Sequence, residues 1–156
     1  MSAVKDVDQL LEQFHLATDE FLKGNPEPNK TLFSHHEDVT LANPYGPPVR
    51  GWDKVEEVMD HAASQAREGR LVSVEIVAKH VSAELAYVVQ IEHPEAELGA
   101  REEITPFALR VTMIFRPEEV RRKVGSTLGS PTLLAEGWLW GLRGGVRSST
   151  HRLLLA

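Results

Sequence analysis

The side chains best suited to chemistry lie in one Pro/Gly-rich segment, residues 43–52, which follows a short apolar strand predicted at 39–42. This segment carries an amide, a phenol, a guanidinium and an indole, on Asn43, Tyr45, Arg50 and Trp52. Three prolines fix φ and remove backbone donors, which holds the connection in one shape. A rigid loop that presents such groups commonly lines a small-molecule pocket. We therefore predict that these four residues bind a ligand.

Three polar side chains elsewhere are further candidates for this pocket. His15 lies beside the apolar stripe of the first predicted helix, although a satisfied, half-buried histidine is the better interpretation of it. Tyr87 and Arg110 lie on predicted strands. The planar guanidinium of Arg110 suits a substrate carboxylate. Surface pairing of Arg110 with Glu92 or Glu75 across the sheet is an equally good interpretation.

The densest titratable cluster is His35-His36-Glu37-Asp38. It could hold a metal or supply a base near neutral pH. Adjacent residues in a turn point in different directions, however, and no third histidine has a convincing spacing, so a solvated turn is favoured. No metal site and no cofactor are predicted. The chain also lacks a Ser/His/Asp order, a P-loop, a Rossmann glycine pattern and an HExxH motif, and no catalytic residue can be assigned.

The composition limits the class of protein. A chain of 156 residues is most simply one domain with a real core. With no cysteine, it has no disulfide and no thiolate chemistry. A net charge of −6 argues against a nucleic-acid binder. No run approaches the roughly 20 apolar residues of a membrane span, and no signal peptide is recognisable, so no membrane partner is expected and a cytoplasmic location is predicted.

The hydrophobic periodicity predicts the order of the elements. Apolar residues at three- and four-residue spacing predict helices at 4–22 and 53–67, the second ended by Gly69, and a short helix begins at 29. The period changes to two near residue 70, which predicts strands at 72–79, 86–92 and 107–116. In the middle strand we interpret Leu85, Tyr87, Val89 and Ile91 as the apolar face. Helices followed by meandering strands indicate an α+β fold.

Residues 117–156 differ in charge from the rest of the chain. They contain 6 Lys/Arg and 3 Glu, whereas residues 1–116 contain 11 Lys/Arg and 20 Asp/Glu. We interpret 117–156 as a divergent C-terminal segment that could complete the sheet through strands near 132–140 and 149–155. A natural tail and a shifted reading frame both remain open as its origin.

The element order resembles the nuclear-transport-factor-2-like cone, and specifically its SnoaL-like and ketosteroid-isomerase-like branch. The likeness is carried by residues 32–33, 38–46, 49–51 and 108–116, within a core domain at 1–116. It implies a cone-shaped, bent antiparallel sheet with helices packed over its concave face, which encloses a pocket for a small hydrophobic ligand. It also implies a homodimer through the sheet, which apolar residues on both strand faces, such as Val77, Val88 and Ile114, support.

The same resemblance bears on catalysis. The isomerases of that branch place an aspartate base immediately before Pro-x-Gly, where this chain has Asn43. The phenol and carboxylic acid of their oxyanion hole would fall at Ala17 and near Val111. An amide orients a ligand but cannot shuttle a proton, so steroid isomerisation is disfavoured. We therefore expect a protein that binds a ligand without catalysing a reaction. The alternative is a lyase, cyclase or isomerase that acts on a hydrophobic carbonyl compound.

Overall fold

The fold is α+β, as the sequence predicts. A computed structural model describes residues 3–43 and 46–116. Its helices are α1 (Ala3–Phe21), α2 (Glu27–Leu32) and α3 (Trp52–Ser64), and its strands are β1 (Thr40–Leu41), β2 (Val49–Arg50), β3 (Ala66–Val81), β4 (Ala86–Leu98), β5 (Thr105–Pro106) and β6 (Leu109–Phe115). Tyr45 and the C-terminal segment 117–156, with the strands predicted in it, lie outside the described residues.

The main sheet is antiparallel and curved, and it is not closed. Its central strand is β4, which pairs with β3 along one edge and with β6 and then β5 along the other. Register shifts interrupt β3 at three places, and such shifts bend a strand and increase its local twist. β1 and β2 form a separate two-stranded hairpin, so the Pro/Gly segment connects two strands rather than leading directly into the helix.

The third helix ends earlier than predicted. It stops at Ser64 and β3 begins at Ala66, so the predicted helix at 53–67 runs too far and Gly69 lies inside a strand. The amide of Gly69 donates to the Leu22 carbonyl at 3.1 Å, and a Cβ on Gly69 would come within 2.7 Å of the Ala96 Cβ. Because this close approach requires a glycine, contacts between distant segments override the local helical period.

The buried face of β4 is the opposite of the one predicted. Val88, Gln90 and Glu92 are buried, whereas Tyr87 is exposed. The register places these buried residues beside the buried or half-buried apolar residues of β6, whose alternation is as predicted. Both faces of β4 begin with apolar residues, so hydrophobicity alone does not decide which face turns inward. The inward face is the one that carries a glutamine and a glutamate.

One main core cluster joins α1, α3, β4 and β6, with Phe14, Val55, Met59, Val88 and Met113 among its buried members. None of the helices in the described ranges is both long enough and apolar enough to cross a membrane.

A cluster of charges attaches the short helix α2 to α3. The Lys30 ammonium contacts the carboxylates of Glu27, Glu56 and Asp60 at 3.0, 3.4 and 2.6 Å. The hydrogen bond to Asp60 is the main cause that raises the pKa of Lys30 above its usual value. Because Glu56 and Asp60 belong to α3, this cluster helps to fix the position of α2.

Candidate ligand-binding cavity

A cavity of about 140 Å³ lies between the helices and the inner face of the sheet. Its walls are mostly apolar, with side chains such as Phe14, Phe33, Met59, Phe107 and Leu109. Polar groups are contributed by Thr18 of α1, Asn29 of α2, Asn43 after β1 and Glu92 of β4. An apolar enclosure with a few convergent polar groups is the usual form of a small-molecule site.

Glu92 is the one titratable residue among the described residues that line this cavity. Its position on the inner face of β4 leaves it only 2% exposed, between Val74 of β3 and Leu109 of β6 in the sheet register. Burial penalises the carboxylate and raises the pKa of Glu92 to about 7, against the opposing effect of a hydrogen bond from Gln90. The carboxyl group is therefore close to balance between its two protonation states at neutral pH.

A chain of hydrogen bonds leads from Glu92 to the first helix. The fully buried Gln90 donates from Nε2 to Glu92 Oε1 at 2.7 Å. Its Oε1 lies 3.2 Å from His15 Nε2. An amide oxygen only accepts, so in this arrangement His15 donates through Nε2–H. His15, a predicted site residue, is thus a half-buried, hydrogen-bonded histidine that reaches the cavity carboxyl through Gln90.

The Pro/Gly segment contributes Asn43 to the cavity wall, whereas Arg50 is exposed on β2. Trp52 is partly buried at the start of α3, where it packs against the main core. Its indole stacks on the imidazole of His35, with ring centroids 3.8 Å apart. Neither Arg50 nor Trp52 is among the residues that line the cavity.

Tyr87 and Arg110 lie on the outer face of the sheet. Tyr87 stacks on His80 of β3, with ring centroids 5.7 Å apart. Arg110 is exposed and sits opposite Ile91 in the register, one residue from the inward-facing Val111. Pairing of Arg110 with Glu92, considered from the sequence, is wrong because Glu92 turns to the opposite face.

Sequence reasoning missed Thr18, Asn29, Gln90 and Glu92. The available signal was the period-two continuation of Ala86 and Val88 by Gln90 and Glu92, which places two long polar side chains on one strand face. Thr18 and Asn29 gave no signal of their own. In the structure both are buried, and Thr18 Oγ1 and Asn29 Oδ1 have no hydrogen-bond partner among the described residues.

Comparison with known proteins gives matches in structure and none in sequence. No protein-family model and no curated protein sequence matches the chain. A nuclear transport factor 2 (NTF2-like) superfamily protein from Salmonella enterica is similar over 93% of this chain and 96% of its own, at 14% identity and a TM-score of 0.67.

Two further structures resemble the chain. A ketosteroid isomerase-like protein from Erwinia carotovora matches 86% of this chain and 94% of its own, at 17% identity and a TM-score of 0.65. A candidate dehydratase of the NTF2-like family from Streptomyces avermitilis matches 86% of this chain and 94% of its own, at 15% identity and a TM-score of 0.57.

Proposed function

We propose that this chain, which has the nuclear transport factor 2-like fold, binds a small uncharged molecule and moves a proton on it through Glu92, as an isomerase or dehydratase does. The observation that carries the proposal is a buried carboxyl group in an apolar cavity, with a pKa of about 7. Strongly shifted carboxyl groups in cavities are frequent at catalytic sites. Structural neighbours named as ketosteroid isomerase-like and as a candidate dehydratase are consistent with this chemistry.

The size and lining of the cavity suggest the class of ligand. An engineered cavity of about 150 Å³ in another protein takes up benzene, and this cavity has about 140 Å³. A molecule with a single ring is therefore the expected size, rather than a steroid. No Lys, Arg or His is among the described lining residues, so an anion would find no countercharge there.

Glu92 could act in both directions of a proton transfer. As a carboxylate it would accept a proton from the carbon next to a ligand carbonyl, and as a carboxylic acid it would return the proton. A pKa near the working pH favours both steps. Asn43 would hold the carbonyl oxygen, because its amide donates hydrogen bonds without exchanging a proton. The proton-transferring role is thus assigned to Glu92 on β4 of the main sheet, and not to Asn43, the position that the resemblance indicates.

A non-catalytic ligand-binding protein is the second candidate. It is favoured by the residues at the three positions that the isomerases of this fold use, which are Asn43, Ala17 and Val111. None of these side chains carries an ionisable group or a phenol, so the oxyanion partners of those isomerases have no counterpart at these positions.

Hydrogen–deuterium exchange at the carbons next to the carbonyl of cyclohexanone distinguishes the two candidates, because it reports proton abstraction without the natural substrate. We expect the wild-type protein to accelerate the exchange in D₂O, with a rate that rises with pH and is half-maximal near pH 7, the pKa of Glu92. Glu92→Gln should lower the protein-dependent rate by about 10²-fold or more, the lower range for general acid–base catalysis.

Glu75→Gln is the matched control, since Glu75 is an exposed glutamate on β3. It should exchange cyclohexanone at the wild-type rate. If cyclohexanone binds but Glu92→Gln and the wild type exchange it equally slowly, proton transfer is excluded and the binding protein is the better account.

A further inference from the structure

The helical wall of the cavity carries two buried polar atoms without partners. Thr18 Oγ1 and Asn29 Oδ1 make no hydrogen bond within the described part of the chain. Their residues are 8% and 6% exposed, and both line the cavity. A buried hydroxyl or amide oxygen without a partner has lost its hydrogen bonds to water and gained none within the protein, which destabilises the folded state. Such a cost is uncommon in a native protein and calls for an explanation, such as a missing binding partner.

A threonine in a helix can satisfy its own hydroxyl by bonding to the helix backbone, but Thr18 of α1 does not do so. A threonine inside a helix can donate its hydroxyl to the carbonyl three or four residues earlier. The exposed Thr31 on α2 does so, donating to the Pro28 carbonyl at 2.7 Å. The hydroxyl of Thr18 makes no such bond and remains available to the cavity.

The chemistry of the two atoms specifies their complement. The Asn29 oxygen only accepts hydrogen bonds, whereas the Thr18 hydroxyl both donates and accepts. A hydroxyl group on a ligand has a donor for Asn29 and lone pairs for Thr18. Thr18 and Asn29 line the cavity from α1 and α2, whereas Glu92 lines it from β4 and Asn43 from the end of β1.

We propose that Thr18 and Asn29 form a second recognition site that binds a hydroxyl group of the ligand. The second site, which rests on the function proposed above, narrows the ligand class to small cyclic hydroxy-carbonyl compounds. The carbonyl end faces Glu92 and Asn43, and the hydroxyl end faces α1 and α2.

The test compares two probes, cyclohexanone and 4-hydroxycyclohexanone, by titration calorimetry. We expect the wild type to bind the hydroxylated probe about 3- to 10-fold more tightly, the range for one net hydrogen bond. Thr18→Val and Asn29→Leu keep the approximate shape of each side chain and should bring this ratio close to one. Thr31→Val, which removes an exposed hydroxyl from α2, is the control and should leave the ratio unchanged.

The same variants separate this proposal from the function on which it rests. Glu92→Gln should lower the exchange rate of both probes and preserve the ratio of their affinities. A wild-type ratio of one, with cyclohexanone exchange still dependent on Glu92, would overturn the hydroxyl site and leave the proton-transfer function intact. That result would indicate that a bound water alone satisfies the two atoms. Failure of both probes to bind would overturn both proposals.

Thermal unfolding of the ligand-free protein adds a check that needs no ligand. An unpartnered buried hydroxyl is costly, so Thr18→Val should leave the melting temperature unchanged or raise it. A fall of several degrees would show that the Thr18 hydroxyl is bonded within the protein, and would overturn its assignment to a ligand.

Discussion

At the scale of single residues, the unusual feature is the buried carboxyl group of Glu92, which is close to half protonated at neutral pH because burial raises its pKa to about 7. Asn43 could be predicted as a cavity residue because its proline and glycine neighbours mark a strand end in the sequence. Glu92 could not. Its position is set by which face of β4 meets the helices, and its pKa by apolar side chains from distant elements. The local alternation groups Glu92 with Val88 and Gln90 on one strand face, but it does not decide whether that face turns inward.

Glu92 should make the stability of the protein depend on pH. An exposed glutamate has a pKa of about 4.3, whereas that of Glu92 is raised to about 7. Between these values the unfolded chain loses its proton and the folded chain keeps it. The free energy of unfolding should therefore fall as pH rises through this window, by up to about 4 kcal/mol, and level off above it.

Glu92→Gln lacks this titration, so its stability relative to the wild type should increase from pH 5 to about pH 8. Urea unfolding at both pH values measures the effect. Glu75→Gln should instead follow the wild type at both. Parallel pH profiles for Glu92→Gln and the wild type would mean that the carboxyl group is not buried in solution.

Gln90 should tune the same carboxyl group. Its hydrogen bond lowers the pKa of Glu92, so Gln90→Met, which retains much of the side-chain volume, should move the titration of Glu92 to higher pH. Carbon NMR of labelled glutamate side chains follows this titration, with Glu92→Gln used to assign the signal. A midpoint that stays fixed or moves down would exclude the Gln90 bond as an influence on the carboxylate.

At the scale of elements, the sequence was most informative where the burial pattern is regular. The alternation of β6 is as predicted, because one of its faces is buried along its length. β3 was harder to predict from its sequence, since three register shifts break its alternation and much of the strand is exposed. The end of α3 was misjudged because Gly69, which in sequence resembles a helix stop, meets the end of the α1 segment and β4.

Gly69→Ala should destabilise the protein by about 1–3 kcal/mol, the usual range for overpacking. The added Cβ would lie 2.7 Å from both the Ala96 Cβ and the Leu22 carbonyl oxygen. Gly46→Ala is the control, because its Cβ would meet no atom within 4 Å. Urea unfolding compares the two variants, and equal stabilities would show that the approach at Gly69 is looser than described.

At the scale of the whole molecule, the change of period near residue 70 was enough to predict an α+β fold, whereas the cone was implied by the resemblance of the element order. The homodimer through the outer face of the sheet remains a prediction, but its residues change. Val88 is fully buried inside the monomer and cannot contact a partner. Val77 is exposed, and Ile114 lies half-buried on the outer face, so these two residues stay in the prediction. The outer face also presents Tyr87, Val89 and Ile91, which are exposed or half-buried.

Tyr87→Glu should convert the predicted dimer into a monomer, because a charge within an apolar interface would be desolvated. Leu16→Glu on α1, at an exposed position away from the sheet, should leave the dimer intact. Light scattering across a micromolar concentration series measures both. A wild-type monomer at high concentration would remove the prediction.

The charge cluster around Lys30 has a consequence for the cavity. Asn29, the neighbour of Lys30, lines the cavity from a helix of only six residues, which is too short to be stable alone. Lys30 is 8% exposed, whereas the side chains of Glu56 and Asp60 are 45% and 52% exposed, so dissolved ions screen the attraction of Lys30 to α3 only in part. Binding of an uncharged molecule such as 4-hydroxycyclohexanone should therefore weaken between about 0.01 M and about 1 M sodium chloride, where the screening length falls from about 30 Å to about 3 Å. Lys30→Met should lack this salt-dependent change in ligand affinity. If the wild type and Lys30→Met respond identically to salt, the Lys30 cluster does not influence the cavity. Ionic strength would thus adjust the affinity for a ligand that carries no charge.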